Sequence, residues 1–213
     1  MLIEKKLFNH QASEYENEIF THQDRYPFAG YFEVINKVSL LAIENNFTSV
    51  LDLGVGTGLM LSRLKESWNF EFVGCDYSDE MLTIARRRLN HDQLYQHDIR
   101  EAALPFFVEG RKFDMVHSAY TFHHLTSAEK LQVVKNYSTL LNAKGKFIIA
   151  DISFDNLDAM NTIKEIEGEN WDHEEEAGYF LKNDFMRILL DNQFEVTYTK
   201  ISFCAGLYEI GLR

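Results

Sequence analysis

The chain is poor in cysteine, proline and positive charge, and each shortage excludes something. Only Cys75 and Cys204 occur in 213 residues. They form no CxxC pair and sit near no histidine cluster of metal-ligand spacing, so a disulfide framework is excluded and both are expected to be buried, inert thiols. Two prolines leave no Pro-rich linker, and there is no internal repeat or low-complexity tract. Lys and Arg number 21 against 33 Asp and Glu, a net charge of −12, which repels phosphate backbones and anionic lipid surfaces. Nucleic acid is therefore a disfavoured partner. No apolar run approaches the roughly 20 residues of a membrane span. The start of the chain, MLIEKKLFNH, lacks the long apolar core of a signal peptide. No membrane partner and a cytoplasmic location are the expectation.

What is present is one domain's worth of apolar sequence, 46% of the residues, arranged around an informative stretch. Val50 to Gly58 reads VLDLGVGTG. Val50, Leu51 and Leu53 give a buried strand, while Gly54, Gly56 and Gly58 remove the Cβ atoms that would keep a ligand off the backbone. A helix is predicted from Leu59. Ligands of open α/β sheets bind where such strands end, so this bend marks one wall of a site. A phosphate-binding P-loop needs Lys and Ser or Thr after its last glycine, where this chain has Leu59 and Met60. A dinucleotide fingerprint needs glycine where Leu59 stands. The GxGxG spacing suits instead the amino-acid end and sugar of a smaller nucleoside.

The apolar runs after Val50 alternate with amphipathic ones, the βαβ signature of a parallel sheet with helices on both faces. Residues 9–45 read as two helical stretches interrupted near Pro27. Thr126 and Glu129 form a capping-box pattern, followed by Leu131, Val134, Tyr137 and Leu141 on one helical face. Between Asp155 and Glu176 nine acidic residues face a single lysine, Lys164. This reads as an insertion helix plus loop whose charges are a solvated face, with recognition of a cationic substrate by Glu165, Glu167, Glu169, Glu174, Glu175 and Glu176 as the alternative. Leu181, Phe185, Ile188 and Leu189 mark another helix. Phe194–Phe203 and Leu207–Leu212 look like a closing hairpin around Gly206.

The run VLDLGVGTG resembles the hhDhGxGxG strand that opens the cofactor site of class I S-adenosylmethionine-dependent methyltransferases. The resemblance continues through FEFVGCDYSDEML, HDIR, FDMVHSAYTFHHL and LLNAKGKFIIAD, in order, over about residues 48 to 151. SAYTFHHLT is similar to uncharacterised small bacterial methyltransferases. It implies an α/β, Rossmann-like fold: a seven-stranded, mostly parallel sheet in the order 3-2-1-4-5-7-6, with helices on both faces and an N-terminal helical cap. Residues 1–213 would form a single domain, with a cap at 1–46, a cofactor-binding core at 47–151, an acidic insertion at 152–180, and a closing helix and hairpin at 181–213.

The implied cofactor is S-adenosyl-L-methionine, released as S-adenosyl-L-homocysteine after methyl transfer to a small-molecule acceptor. Asp76 is expected to bind the ribose, with Tyr77 beside it and Met81 against the adenine. Asp98 and Ile99 hold the adenine edge and face. Gly54, Gly56 and Gly58 receive the methionine end, and Ser118 in the SAYTF run is counted with them. Asp52 either orients the cofactor's amino group through water or bonds the loop's own N–H groups. Tyr15 and Tyr31 match aromatic positions that touch the methionine end, and are equally readable as cap aromatics packed on the sheet. His123 is the candidate base, since an imidazole titrates near neutrality. No metal is expected, because adjacent His123 and His124 rarely aim at one ion and no third ligand is identifiable. A homodimer is allowed for. An RNA or protein acceptor, a non-catalytic cofactor-binding module and a nicotinamide-dependent oxidoreductase are the competing readings.

Overall fold

A computed structural model of the protein describes residues 16–213; Tyr15 lies outside the described residues. Strands β1 (Ser49–Leu53), β2 (Glu71–Asp76), β3 (Leu94–Gln96), β4 (Phe113–Ala119) and β5 (Leu141–Phe154) run parallel, and β7 (Phe194–Lys200) and β8 (Ala205–Leu212) close the sheet as an antiparallel pair. The path is β3-β2-β1-β4-β5-β8-β7. An additional two-residue strand, β6 (Phe180–Leu181), pairs with β5 off this path. With β6 set aside, the order is the expected 3-2-1-4-5-7-6.

Alternation along the strands builds two cores. Val50, Phe72 and Ile148 face one side, where they pack with Val34, Leu61, Leu64 and Leu82 from the helices Tyr31–Glu44, Leu59–Ser67 and Asp79–Leu89. Leu51, Val73 and Ile149 face the other, against Val133, Val134 and Tyr137 of Ser127–Ser138 and Phe185 and Leu189 of Lys182–Asp191. The capping box forms as read: Thr126 Oγ1 accepts from the Glu129 N–H and Glu129 Oε2 from the Thr126 N–H. Leu141 lies beyond that helix, as the first residue of β5. Cys75 and Cys204 are buried and free, and burial pushes both thiols up.

The closing hairpin departs from its predicted turn. Gly206 lies within β8, paired with Lys200 and Asp151. The turn is closed by Ser202, whose Oγ accepts from the Cys204 and Ala205 N–H groups and donates to the Ala29 carbonyl at 2.6 Å. That last bond ties the hairpin to the segment before Tyr31. Among the described residues no helix is long and apolar enough to cross a membrane.

Candidate active site

Three apolar strands carry an aspartate toward the same edge of the sheet: Asp52 just before the end of β1, Asp76 at the end of β2 and Asp151 near the end of β5. A cavity of about 480 Å³ opens over the first two, lined also by Gly54, Gly56, Tyr77, Met81, Asp98, Ile99 and Tyr31. Asp76 holds the glycine bend in shape. Its Oδ2 accepts from the Gly56 N–H at 2.8 Å and its Oδ1 from the Ser78 N–H at 2.8 Å. Burial raises its pKa more than these two amides lower it. Ser78 caps the following helix through the Met81 N–H, which fixes Met81 on the cavity wall.

The bend leaves bare backbone open to the cavity. Gly56 has φ +56°, and a Cβ built on it meets nothing within 4 Å, so the open space beside its backbone is cavity. Gly54, at φ +84°, is glycine for another reason: its Cβ would lie 2.1 Å from Thr121 Oγ1. Gly58 caps the helix Leu59–Ser67 with φ 76° and does not line the cavity. Ser118 also lies off it, its hydroxyl donating to the Leu53 carbonyl at 2.6 Å.

Asp52 bonds a residue across the sheet rather than the loop's own N–H groups. Sheet register sets it opposite His117, and its Oδ1 lies 2.6 Å from His117 Nδ1 in a pair 2% and 0% exposed. Asp98 is chelated by Arg100, whose Nε lies 2.8 Å from Oδ1 and whose Nη2 lies 2.5 Å from Oδ2. Burial raises the Asp98 pKa, but the guanidinium outweighs it and holds the carboxyl below its usual range. Arg100 also lies 5.8 Å over the Tyr77 ring, so the two residues expected at opposite ends of an adenosine are bridged by one cation. Tyr31 stacks on Tyr120 at 5.1 Å within the lining.

The far end of the cavity is walled by two segments that clasp each other. Tyr26, in the turns before Tyr31, stacks on Trp171 at 4.7 Å and shares a short hydrogen bond with Tyr179 through their hydroxyls. Trp171 is 3% exposed and donates from Nε1 to Glu176 at 2.6 Å. The acidic run is therefore only partly a solvated face. Glu165, Glu169 and Glu174 are exposed, whereas Glu175 is drawn inward to the cavity.

His123 lines this end and is buried. Asp151, itself 0% exposed, organises the turn that carries it: Oδ2 accepts from the Thr121, Phe122 and His123 N–H groups, and Oδ1 from Ile152 N–H and faces His123 Nδ1 at 2.6 Å. Glu175 Oε2 lies 3.4 Å from the other ring nitrogen, Nε2. Burial lowers the imidazole's pKa, but the two carboxylates outweigh it and hold the ring above its ordinary value. Asp151 thus engages Nδ1, while Nε2, the nitrogen on which the expected general-base role would rest, faces Glu175. Glu175 also supplies the third ligand-type group that the sequence did not reveal beside His123 and His124.

Comparison with known proteins supplies the chemistry. A family model described as a methyltransferase domain matches residues 50–145. An uncharacterised methyltransferase of Anoxybacillus flavithermus is 34% identical over 155 residues, covering 72% of this chain and 69% of that protein. One from Bacillus mycoides is 30% identical over 210 residues and 95% of each chain. Among solved structures, magnesium protoporphyrin IX methyltransferase from Synechocystis with bound S-adenosylhomocysteine superposes with a TM-score of 0.70 at 17% identity over 98% of each chain. An S-adenosylmethionine-dependent methyltransferase from Clostridium acetobutylicum gives 0.67 at 18% identity, covering 92% and 98%. The chain belongs to the class I S-adenosylmethionine-dependent methyltransferases.

Proposed function

We propose that the methyl acceptor is a small molecule bound in the far end of the cavity. The observation that carries this reading is that Tyr26 and Tyr179, backed by Trp171, wall that end with the chain's own residues where a polymer acceptor needs an open groove. The net charge of −12 also opposes a nucleic-acid acceptor.

S-adenosylmethionine supplies a methyl group already activated as a sulfonium. The protein's task is then to align an acceptor atom with that methyl and to exclude water. Asp76 would accept from the ribose hydroxyls while keeping the Gly56 amide, since each carboxylate oxygen has a second lone pair. Ile99 and Met81 would face the adenine, and Asp98, locked by Arg100, its edge. The backbone at Gly54 and Gly56 would receive the amino-acid end, with Tyr31 and buried Asp52 beneath it.

The test is transfer of labelled methyl groups from S-adenosylmethionine into bacterial extract separated into low-molecular-weight, RNA and protein fractions. Label entering the low-molecular-weight fraction alone is expected. Label entering RNA or protein while that fraction stays blank would reject the reading.

A further inference from the structure

We propose that His123, His124 and Glu175 form a binding site for one divalent first-row transition-metal ion at the acceptor end of the cavity. Consecutive histidines diverge on a strand or helix, but these two lie in the single 3-10 turn Phe122–His124, with ring centroids 3.9 Å apart. Glu175 reaches both: Oε2 is 3.4 Å from His123 Nε2 and Oε1 is 3.1 Å from His124 Nδ1. One ligand atom from each of the three residues lies within 4.8 Å of the others. Ligands held about 2.0–2.1 Å from a tetrahedral ion are about 3.3–3.4 Å apart, close to the two nitrogen–oxygen separations, one to each oxygen of the Glu175 carboxylate.

Two further features are those of a built site. The first is Asp151, fully buried and fixed by backbone N–H groups, which faces His123 Nδ1 at 2.6 Å. A carboxylate there keeps the proton on Nδ1 and aims Nε2 at the ion, as orienting carboxylates do behind metal-bound histidines. The second is Gly178. A Cβ on it would lie 1.7 Å from the His123 carbonyl oxygen, so only glycine lets the Glu175 turn press against the histidine turn. Buried Lys130 fastens the same turn by donating to the Gly178 carbonyl.

The charges suit a dication. With both imidazoles in the neutral form that binds a metal, Asp151 and Glu175 against Lys130 leave a net negative charge. Three protein ligands leave coordination positions open toward the cavity, where Tyr179 and Asp172 also line the wall. An acceptor oxygen or nitrogen could occupy one of them. Two imidazoles and one carboxylate suit Zn²⁺, Co²⁺ or Fe²⁺ better than the oxygen-seeking Mg²⁺ or Ca²⁺.

The test uses the full-length protein stripped with a chelator and titrated with CoCl₂ and with ZnCl₂, read by cobalt visible absorption and by calorimetry. One equivalent of saturable binding is expected, with a visible band that Zn²⁺ abolishes. Glu175→Gln and His124→Ala should each lose the band, and Asp151→Asn should weaken cobalt binding about 10- to 100-fold. S-adenosylhomocysteine affinity, measured on each variant, shows that the fold survives. The proposal is overturned by the absence of saturable binding in the parent protein. Binding that persists unchanged in the Glu175→Gln, His124→Ala double variant would overturn it too.

Discussion

Replacing Asp76 by Asn tests the cofactor geometry most directly, because the two residues have the same shape and differ in charge and in one acceptor. In the structure both carboxylate oxygens already accept a backbone N–H, from Gly56 and from Ser78. An amide NH₂ must turn a donor toward one of those donors, so either the glycine bend or the helix cap loses its partner. The same change removes the charge-assisted bonds proposed for the ribose. Hydrogen bonds to a charged group contribute about 1.5–3 kcal/mol each. A loss of about 2–3 kcal/mol in binding is expected, a factor of roughly 30 to 150 in affinity for S-adenosylhomocysteine. Calorimetric titration measures it, and a thermal melt without ligand separates the effect on the bend itself. Asp76→Glu should fall between the two, since it keeps the charge but displaces it by one methylene. An Asn variant that binds within threefold of the parent, whatever its melting temperature, would refute the ribose assignment.

The two inner glycines should fail differently. Gly56→Ala costs about 1–2 kcal/mol for its positive φ, leaving a folded protein, but its methyl group enters the cavity and should lower S-adenosylhomocysteine affinity at least tenfold. Gly54→Ala, driven into Thr121, should lose more stability than Gly56→Ala; equal losses in urea melts would contradict the contacts described. Asp151→Asn should destabilise by about 3 kcal/mol, because it weakens bonds to several backbone amides in a buried site, and a loss below 1 kcal/mol by urea melt would show the turn to be held by something else. Burial depresses the Lys130 pKa to about 8, so its charged form is penalised below that pH and the penalty is relieved as pH rises toward the unfolded value. Lys130→Met should therefore be relatively most favourable near pH 7, by up to about 3 kcal/mol before the lost Gly178 bond, and the lost contact of the Lys130 ammonium 4.1 Å over the Phe180 ring, are counted. Its advantage over the parent should shrink between pH 7.5 and 9, and a constant difference across that range would rule out the depressed pKa.

The strands and the glycine bend were legible because each depends on neighbours in sequence. An apolar run ending in Asp, as in VLD, GCD and IIAD, marks both the strand and the residue that its sheet edge presents, and Asp151 was readable by that rule although no role had been attached to it. Partnerships made across the sheet were not legible. Asp52 meets His117 only through the register of β1 against β4, and Glu175 meets His123 only through the contact at Gly178. The closing turn was misplaced because a serine hydroxyl, rather than a glycine, satisfies its amides.

The acidic segment shows why charge counting misleads at a site like this. Nine carboxylates in 155–176 predict a solvated stretch, and an isolated chain of that composition has little to bury. Trp171 reverses the outcome locally. Its ring stacks on Tyr26 and meets Tyr179 edge-on at 5.5 Å, and its N–H takes up Glu176, so one large apolar side chain supplies enough buried surface to anchor the segment over the cavity. Glu176 is thereby paired with Trp171 and Lys164 outside, while its neighbour Glu175 is left facing the two histidines. The alternation of two adjacent glutamates, one neutralised at the surface and one turned inward, follows from where that tryptophan is held. Charge at the acceptor end is thus set by an aromatic anchor rather than by the excess of acids in the segment.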